Sequence, residues 1–417
     1  MNVQANPFLF ESAALSHLPN YGPVRSTQLC GYLSIGDSAG GWLYFWFSEA
    51  VGSPERAPLL VWINSGPGIG ALATLFDEHG PYLLDSGGRV YSNPFSWHHH
   101  ANYLLLDQPL GHGLSFSTHP RYLPESHDES CQQLYHALQE FLLRWPRYRE
   151  VDCYLFGAGQ TGHTLARLAN AILDGNGCGQ PLINLKGIGL GNGQVAPEIQ
   201  LPSHIDYASQ HRLINEEERQ RLEAMLQDYI RTRTAVTPLQ RKEASHIAQD
   251  MNAYIRQCSG RDLDDVRHPP STRHRRVEEY LARPAVQQAL HIDPRSLNEL
   301  KPTPQSLLEA AWLESSAPLF PRLLEKLKVL LYHGEYCLEG NYLGADAWLD
   351  ALPWSGAAEF RQCKRQSWRP YGLAAGLIRQ HHHLSHIIIQ NAGLHAAHDQ
   401  PAIVQAMLKH FLHDDAG

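Results

Sequence analysis

The stretch of sequence that decides the fold is Tyr154-Leu155-Phe156-Gly157-Ala158-Gly159-Gln160-Thr161-Gly162-His163. An apolar run precedes the glycines, and apolar residues at helical spacing follow them from Leu165 to Leu173. This order predicts a strand, a sharp turn and a helix, with Gly159 at the tip of the turn. Glycine adopts the backbone conformation that such a tip requires, because it has no Cβ to clash.

Length, composition and charge exclude several classes of protein. The 417 residues are 43% hydrophobic and can bury a large core. A net charge of −8 disfavours nucleic acid and anionic membranes as partners. No run reaches the ~18–20 apolar residues of a membrane span, and the first residues lack the pattern of a signal peptide. We therefore predict a cytoplasmic location, with neither nucleic acid nor membrane as a partner.

The seven cysteines are scattered and odd in number, without the spacing of metal ligands. They predict neither a disulfide framework nor a metal site. The glycines at 157–162 spell G-x-G-x-x-G, which taken alone is typical of dinucleotide binding. However, the next predicted strand ends in Gly-Asn-Gly instead of the acidic residue that binds ribose. We therefore expect no cofactor.

Strand-like and helix-like segments alternate on both sides of the glycine turn. Strands are predicted at 40–47, 58–63, 101–106, 152–156, 186–190, 328–332 and 385–390. Helices are predicted at 130–143, 164–173, 343–351 and 402–412. Such alternation predicts an α/β fold, a mostly parallel sheet covered by helices on both faces.

Between 200 and 315 charge rises and helical periodicity dominates. This change predicts a helical insertion or cap at 200–315. The α/β core is then divided into a first part at 1–199 and a second part at 316–417.

A series of motifs extends along nearly the whole chain, and its order is informative. The motifs include Trp62-Ile63-Asn64-Ser65-Gly66-Pro67-Gly68, Asn93-Pro94-Phe95-Ser96-Trp97, Leu106-Asp107-Gln108-Pro109-Leu110-Gly111 and Asp399-Gln400-Pro401. In type and order they resemble those of the serine carboxypeptidases and the serine-carboxypeptidase-like acyltransferases. The resemblance implies an α/β-hydrolase fold, in which the turn at Gly159 presents the nucleophile.

The resemblance also implies where the family's catalytic residues fall. The serine position falls on Gly159, the aspartate position on Cys337 and the histidine position on Leu394. All three positions of the triad are therefore expected to be substituted. Without nucleophile and base, acyl-enzyme chemistry has no route.

Other features of the family's site are implied to persist. The oxyanion hole is built from backbone N–H groups, which fall here on Gly66 and Gln160. Asn64 and Glu78 match residues that hold the substrate carboxylate in the peptidases. Ser65 belongs to the same motif as Asn64 and is placed with it among the substrate-binding residues.

Further residues are candidates for the site. The vacated positions Gly159, Cys337 and Leu394 are expected to line an enlarged pocket, together with the side chain of Gln160. His112, in a Pro-Leu-Gly-His-Gly loop, is expected to face the same pocket. His395 follows the lost histidine directly and is a candidate for a shifted general base.

Three functions remain open from the sequence. The first is a non-hydrolytic small-molecule enzyme of a biosynthetic pathway, of cyclase, isomerase or lyase type, that uses a preorganised pocket and oxyanion-hole amides. The second is a non-catalytic binding or regulatory protein. The third is a residual hydrolase or acyltransferase with a relocated catalytic group. We expect a small-molecule substrate or ligand, and the sequence leaves a homodimer open.

Overall fold

The computed structural model describes residues 13–35, 40–64, 70–233, 238–271, 274–298 and 313–413. Its strands are β1 (Ala13–Ala14), β2 (His17–Leu18), β3 (Gly22–Pro23), β4 (Gln28–Ile35), β5 (Gly41–Ser48), β6 (Leu59–Asn64), β7 (Tyr82–Leu84), β8 (Val90–Ser92), β9 (Asn102–Asp107), β10 (Phe116–Ser117), β11 (Cys153–Ala158), β12 (Leu185–Gly191), β13 (Lys328–Gly334), β14 (Gln366–Trp368), β15 (Gly376–His381) and β16 (Leu384–Ile389). Its α-helices are α1 (Gly70–Asp77), α2 (His127–Arg144), α3 (Thr161–Gly177), α4 (Pro197–Gln210), α5 (Glu216–Arg233), α6 (Pro238–Ser259), α7 (Arg275–Leu281), α8 (Pro284–Ala289), α9 (Pro294–Asn298), α10 (Phe320–Lys326), α11 (Tyr342–Ala351), α12 (Ala357–Gln362), α13 (Ala396–Asp399) and α14 (Pro401–His413).

One large sheet organises the chain. Its strand order is β1-β4-β5-β9-β6-β11-β12-β13-β16-β15-β14, and β10 pairs with β5. The six central strands from β9 to β16 pair in parallel, whereas the strands at both ends pair antiparallel. This confirms the predicted α/β fold with a mostly parallel sheet, and each predicted strand matches an observed one to within two residues.

Both faces of the sheet are buried, as the alternation of side chains along β6 illustrates. Leu60 and Trp62 belong to one apolar cluster, while Val61 and Ile63 belong to a second. Because neighbouring residues of a strand point to opposite faces, the two clusters lie on opposite sides of the sheet. A strand that is apolar on both faces is typical of a central parallel strand.

The segment predicted as a helical insertion contains α4 to α9 between 197 and 298, whereas its described residues 260–271 form no helix. Part of it forms an apolar cluster of its own, which includes Leu222, Tyr229, Met251 and Ile255. By contrast, α7 and α8 add residues to one of the two clusters beside the sheet, among them Val277, Tyr280 and Val286. The division of the chain at 200 and 315 therefore stays a prediction.

Two further structural facts concern the chain as a whole. All seven cysteines lie in the described ranges and are free thiols. No helix within these ranges is long and apolar enough to cross a lipid bilayer.

The parallel strands determine where the site lies. The carboxyl ends of parallel strands meet at one edge of the sheet, and ligands of open α/β folds bind at that edge. The loops after β11, β13 and β16 leave from it, and these loops contain Gly159, Cys337 and Leu394.

Candidate functional site

The glycine turn has the predicted form. Strand β11 ends before Gly159, which has a φ of +59°, and α3 begins at Thr161. The N–H of Gly159 donates to the carbonyl of Gly191 at 2.8 Å, and its own carbonyl accepts from the N–H of Gln194 at 2.9 Å. A Cβ placed on Gly159 meets no described atom within 4 Å. The backbone is therefore held in place, while the space where a side chain would point is open.

The other glycines of the turn serve close packing. A Cβ on Gly157 would collide with the side chain of Thr161, and a Cβ on Gly162 with the backbone carbonyl of Gln194. Close packing therefore accounts for the first and last glycines of the G-x-G-x-x-G pattern in this fold. The pattern needs no bound dinucleotide to explain it.

Cys337, in the loop after β13, is fully buried. Burial raises the pKa of its thiol well above the ordinary value. A buried thiol with a raised pKa is a poor nucleophile. The structure therefore gives Cys337 a packing role.

His395, in the loop after β16, lies between two carboxylates. Its Nδ1 atom is 2.9 Å from Oε1 of Glu78, and its Nε2 atom is 4.0 Å from Oδ2 of Asp264. If Glu78 is ionised, Nδ1 donates the hydrogen bond, because an ionised carboxylate only accepts. This tautomer leaves Nε2 as the ring atom that can take up a proton.

The loop that carries Glu78 is fixed by side chains from one of the sequence motifs. Glu78 follows α1 directly and is 8% exposed. The Nδ2 of Asn93 donates to the carbonyl of Glu78 at 2.7 Å and to that of Gly80 at 2.9 Å. The carboxylate therefore reaches His395 from a rigid loop. His398, in the short helix α13 that follows His395, has another partner, because its Nδ1 lies 3.0 Å from the carbonyl of Asp77.

A segment of the helical region, residues 262–268, ties the loops after β13 and β16 together. The N–H groups of Leu338 and Leu394 donate to carbonyls of this segment at 2.9 and 2.7 Å. The N–H of Val266 in turn donates to the carbonyl of Tyr336 at 3.0 Å. The site is therefore built jointly from sheet loops and the helical region.

A cavity of about 340 Å³ opens beside the glycine turn, and we call it the turn cavity. The turn, α4, α5, α6 and the loop after β13 line it. Its lining residues are Gln160, Gln194, Pro197, Gln200, Leu201, His204, Tyr229, Ser245, Ala248, Gln249, Asn252, Arg256, Leu313 and Glu339. Its volume is within the ~300–1,000 Å³ range that is usual for small-molecule sites.

Glu339 is the titratable carboxylate of the turn cavity. Burial is the largest cause that raises its pKa to about 7, and the negative charge of Asp264 acts in the same direction. Arg256 lowers that pKa, with its Nη2 atom 3.8 Å from Oε1 of Glu339. Because the charge of Asp264 also interacts with His395, the turn cavity and the Glu78–His395 pair share one electrostatic environment.

The predicted site residues fall into three groups. Gln160 lines the turn cavity, and Glu78 and His395 form a pair, with Leu394 half-buried beside it. Cys337 and His112 are not among the residues that line the turn cavity; His112 is a half-buried loop residue.

The motif that precedes α1 is described only in part. Ser65 and Gly66 lie outside the described residues. Asn64 ends β6 in register with Asp107 of β9, and its side chain is likewise not described.

Four residues beside the site were not predicted from the sequence, namely Glu339, Asp264, Arg256 and His204. Glu339 could have been found from its position, since it lies two residues beyond Cys337 in a loop at the carboxyl edge. The other three lie in the helical region, where only tertiary packing brings them to the site. Among the described residues, no group of three or more His, Cys, Asp or Glu is arranged to hold a metal ion.

Comparisons with known proteins agree with this architecture. A family model described as serine carboxypeptidase matches residues 19–414. The chain is similar to serine carboxypeptidase-like 47 of Arabidopsis thaliana, at 28% identity over 395 residues, which cover 92% of this chain and 77% of the relative. It is also similar to serine carboxypeptidase S10 family member 2 of Dictyostelium discoideum, at 30% identity over 401 residues, 90% of this chain and 70% of the relative.

Among solved structures, the prohormone-processing carboxypeptidase Kex1 of Saccharomyces cerevisiae matches with a TM-score of 0.80 at 20% sequence identity. The match covers 96% of this chain and 94% of that chain. It confirms the α/β-hydrolase fold.

Proposed function

Because the chain belongs to the serine carboxypeptidase family, we propose that it uses this family's fold for a reaction other than serine hydrolysis. The proposed function is a small-molecule enzyme of isomerase, cyclase or lyase type. It requires that the nucleophile, acid and base positions of the family fall on Gly159, Cys337 and Leu394.

The turn at Gly159 supports this proposal most directly. Its backbone conformation and hydrogen bonds are those of a fixed turn, and a Cβ built at its tip meets no described atom within 4 Å. This supports the proposal that the position supplies no nucleophile for an acyl-enzyme. The fully buried Cys337 does not supply one in its place.

The Glu78–His395 pair supplies the acid–base chemistry in the proposed reaction. Nε2 of His395 removes a proton from a carbon next to a substrate carbonyl, and Glu78 stabilises the resulting imidazolium. The backbone N–H of Gln160 is the proposed donor to the developing enolate oxygen. His395 then returns the proton to another atom of the same substrate, or to a leaving group.

General base catalysis contributes ~10²–10⁴-fold and a single oxyanion donor ~10²–10³-fold. Together they are sufficient for a proton transfer, although not for efficient amide hydrolysis.

The test incubates the purified protein with a small-molecule extract of its source cells in H₂¹⁸O, with mass spectrometry as the readout. Isomerisation and cyclisation leave the mass of the substrate unchanged, elimination lowers it, and hydrolysis incorporates ¹⁸O into an acid product. We expect a conversion without ¹⁸O that His395→Gln abolishes and His398→Gln preserves. An ¹⁸O-labelled acid as the main product would refute the proposal. Extract components that bind without conversion would instead favour a binding protein.

A further inference from the structure

The charged groups of the turn cavity are incompletely paired. Of the residues that line it, Arg256 and Glu339 carry charge, and 3.8 Å separates Nη2 from Oε1, which is too far for a hydrogen bond. The side chain of Arg256 is 47% exposed, so water solvates much of its charge, whereas that of Glu339 is 31% exposed. The carboxylate therefore has Arg256 as an ion-pair partner but no direct hydrogen bond to it.

The surroundings of Glu339 make the electrostatic potential there negative. The titratable and charged groups that act on it or lie beside it are His204 from α4, Arg256 from α6, and Asp262 and Asp264 from the segment 262–268. Burial lowers the pKa of His204, so this imidazole is neutral at pH 7. Two acidic groups therefore act on Glu339 against one solvated arginine.

Several polar side chains of the cavity are occupied by the protein itself. The Oε1 of Gln200 accepts from the N–H groups of Val195 and Ala196 at 2.7 and 2.8 Å, and its Nε2 donates to the carbonyl of Gly193 at 2.8 Å. These bonds hold the loop before α4 and leave Gln200 little capacity for a ligand.

The hydroxyl of Tyr229 is different. This side chain is 1% exposed, and its oxygen has no hydrogen-bond partner among the described residues. A buried hydroxyl without a partner carries a desolvation cost. A ligand in the turn cavity that bonds this hydroxyl would recover that cost.

We propose that the turn cavity binds a small molecule that carries a protonated amine, with Glu339 as the carboxylate that receives the cation and Tyr229 as a second hydrogen-bonding group. As a statement about substrate class, this inference rests on the proposed function, although binding is measurable without turnover. Leu201 and Leu313 provide apolar walls for the carbon skeleton of such a ligand.

Charge decides between the three kinds of ligand that fit this volume. An anion would be repelled by Glu339 and by the acidic groups behind it. A neutral ligand would bring no positive charge to balance the ionised form of the Glu339 carboxylate. A cation forms a charge-assisted hydrogen bond with the carboxylate, which is roughly twice as strong as a neutral one.

The test uses three probes of matched shape, namely benzylamine, benzyl alcohol and benzoate. We expect isothermal titration at pH 7 to give binding of benzylamine at least about tenfold tighter than that of benzyl alcohol, and no binding of benzoate. A titration in two buffers of different ionisation enthalpy measures the protons released. Because burial raises the pKa of Glu339 to about 7 and a bound cation favours its ionised form, protons should be released on benzylamine binding at this pH.

Variants distinguish binding of the amine at Glu339 from nonspecific binding elsewhere on the protein. Glu339→Gln should remove both the preference for the amine and the release of protons, and Tyr229→Phe should weaken binding severalfold. Glu335→Gln, a carboxylate variant in the same loop outside the cavity lining, should change neither. Glu339→Asp keeps the charge and should keep proton release with weaker binding, which serves if Glu339→Gln does not fold.

Equal binding of all three probes, or an amine preference that survives in Glu339→Gln, would overturn the inference. Benzylamine binding in a protein that converts no component of the extract would overturn the proposed function and leave the amine site standing. If saturating benzylamine did not affect the conversion of an extract component, the substrate would bind outside the turn cavity. That result would overturn the inference that the substrate carries an amine.

Discussion

Replacing His79 with phenylalanine is expected to stabilise the protein, and more so at acidic pH. His79 is 2% exposed and stacks on Trp97 with ring centroids 4.0 Å apart. It also makes an edge-type contact with Trp62, with ring centroids 4.3 Å apart. Neither ring nitrogen has a hydrogen-bond partner among the described residues. Burial lowers the pKa of His79 from 6.5 to about 4. Phenylalanine keeps the aromatic stack and removes both unpaired nitrogens.

The magnitude follows from the pKa difference between the two states. The unfolded chain binds a proton at His79 below pH 6.5, whereas the folded protein binds it only below about 4. Between these values the unfolded state holds more protons, so folding stability is complete above pH 6.5 and falls as the pH drops. At pH 5 this linkage costs about 2 kcal/mol, and below pH 4 it approaches about 3 kcal/mol.

Urea unfolding followed by tryptophan fluorescence measures this effect at pH 8 and pH 5. The free energy of unfolding of His79→Phe should exceed that of the wild type by about 2 kcal/mol more at pH 5 than at pH 8. His136→Phe, a change at an exposed histidine on α2, is the matched control and should show the same difference at both pH values. A difference for His79→Phe that does not depend on pH would refute the reasoning, since the buried imidazole would then not be neutral.

Three further predictions concern the site and its support. Gly159→Ser should fold with a loss of about 1–2 kcal/mol in urea unfolding, because its φ is positive but its surroundings are open. If the base position falls on Leu394, as proposed, this variant should also resist a fluorophosphonate probe in mass spectrometry; a labelled serine would contradict this. Thiol titration of the native protein with DTNB should modify the exposed Cys178 at once and the buried Cys337 only on unfolding. Asp346→Ala should lower the free energy of unfolding by about 3 kcal/mol, because it leaves two arginines and a buried histidine without their shared carboxylate; an unchanged urea midpoint would contradict it.

The central sheet could be predicted from the sequence because its strands carry their own signal. Strands β11 and β13 are short apolar runs bounded by turn residues, which is typical of strands buried on both faces. The hairpin of β14 and β15 was not predicted. Buried and exposed residues alternate only weakly along these two strands. The strands depend on pairing with each other and with β16, and such pairing leaves no pattern in the local sequence.

Single candidate residues could be named from the sequence, although their partners could not. Glu78 and His395 were both candidates, yet the hydrogen bond that joins them spans 317 positions of the chain. The pKa of Glu339 depends on burial and on Asp264, which belongs to a separate segment. Such shifts are properties of a packed environment, so composition and spacing contain no trace of them.

The site contains groups that lower the stability of the folded protein, and this favours a role in binding a ligand. Glycine at 334 lets the loops after β13 and β16 approach so closely that a Cβ there would collide with the carbonyl of Gly393. Inside this tight framework the chain keeps Glu339 without a direct hydrogen bond to its ion-pair partner Arg256, and Tyr229 without a described hydrogen-bond partner. Both features reduce stability, and apolar residues of similar size would restore it. A purely structural scaffold gains nothing from them, whereas a pocket that receives an amine gains affinity from each. The proton released on benzylamine binding is therefore the measurement that separates a working site from a vacant scaffold.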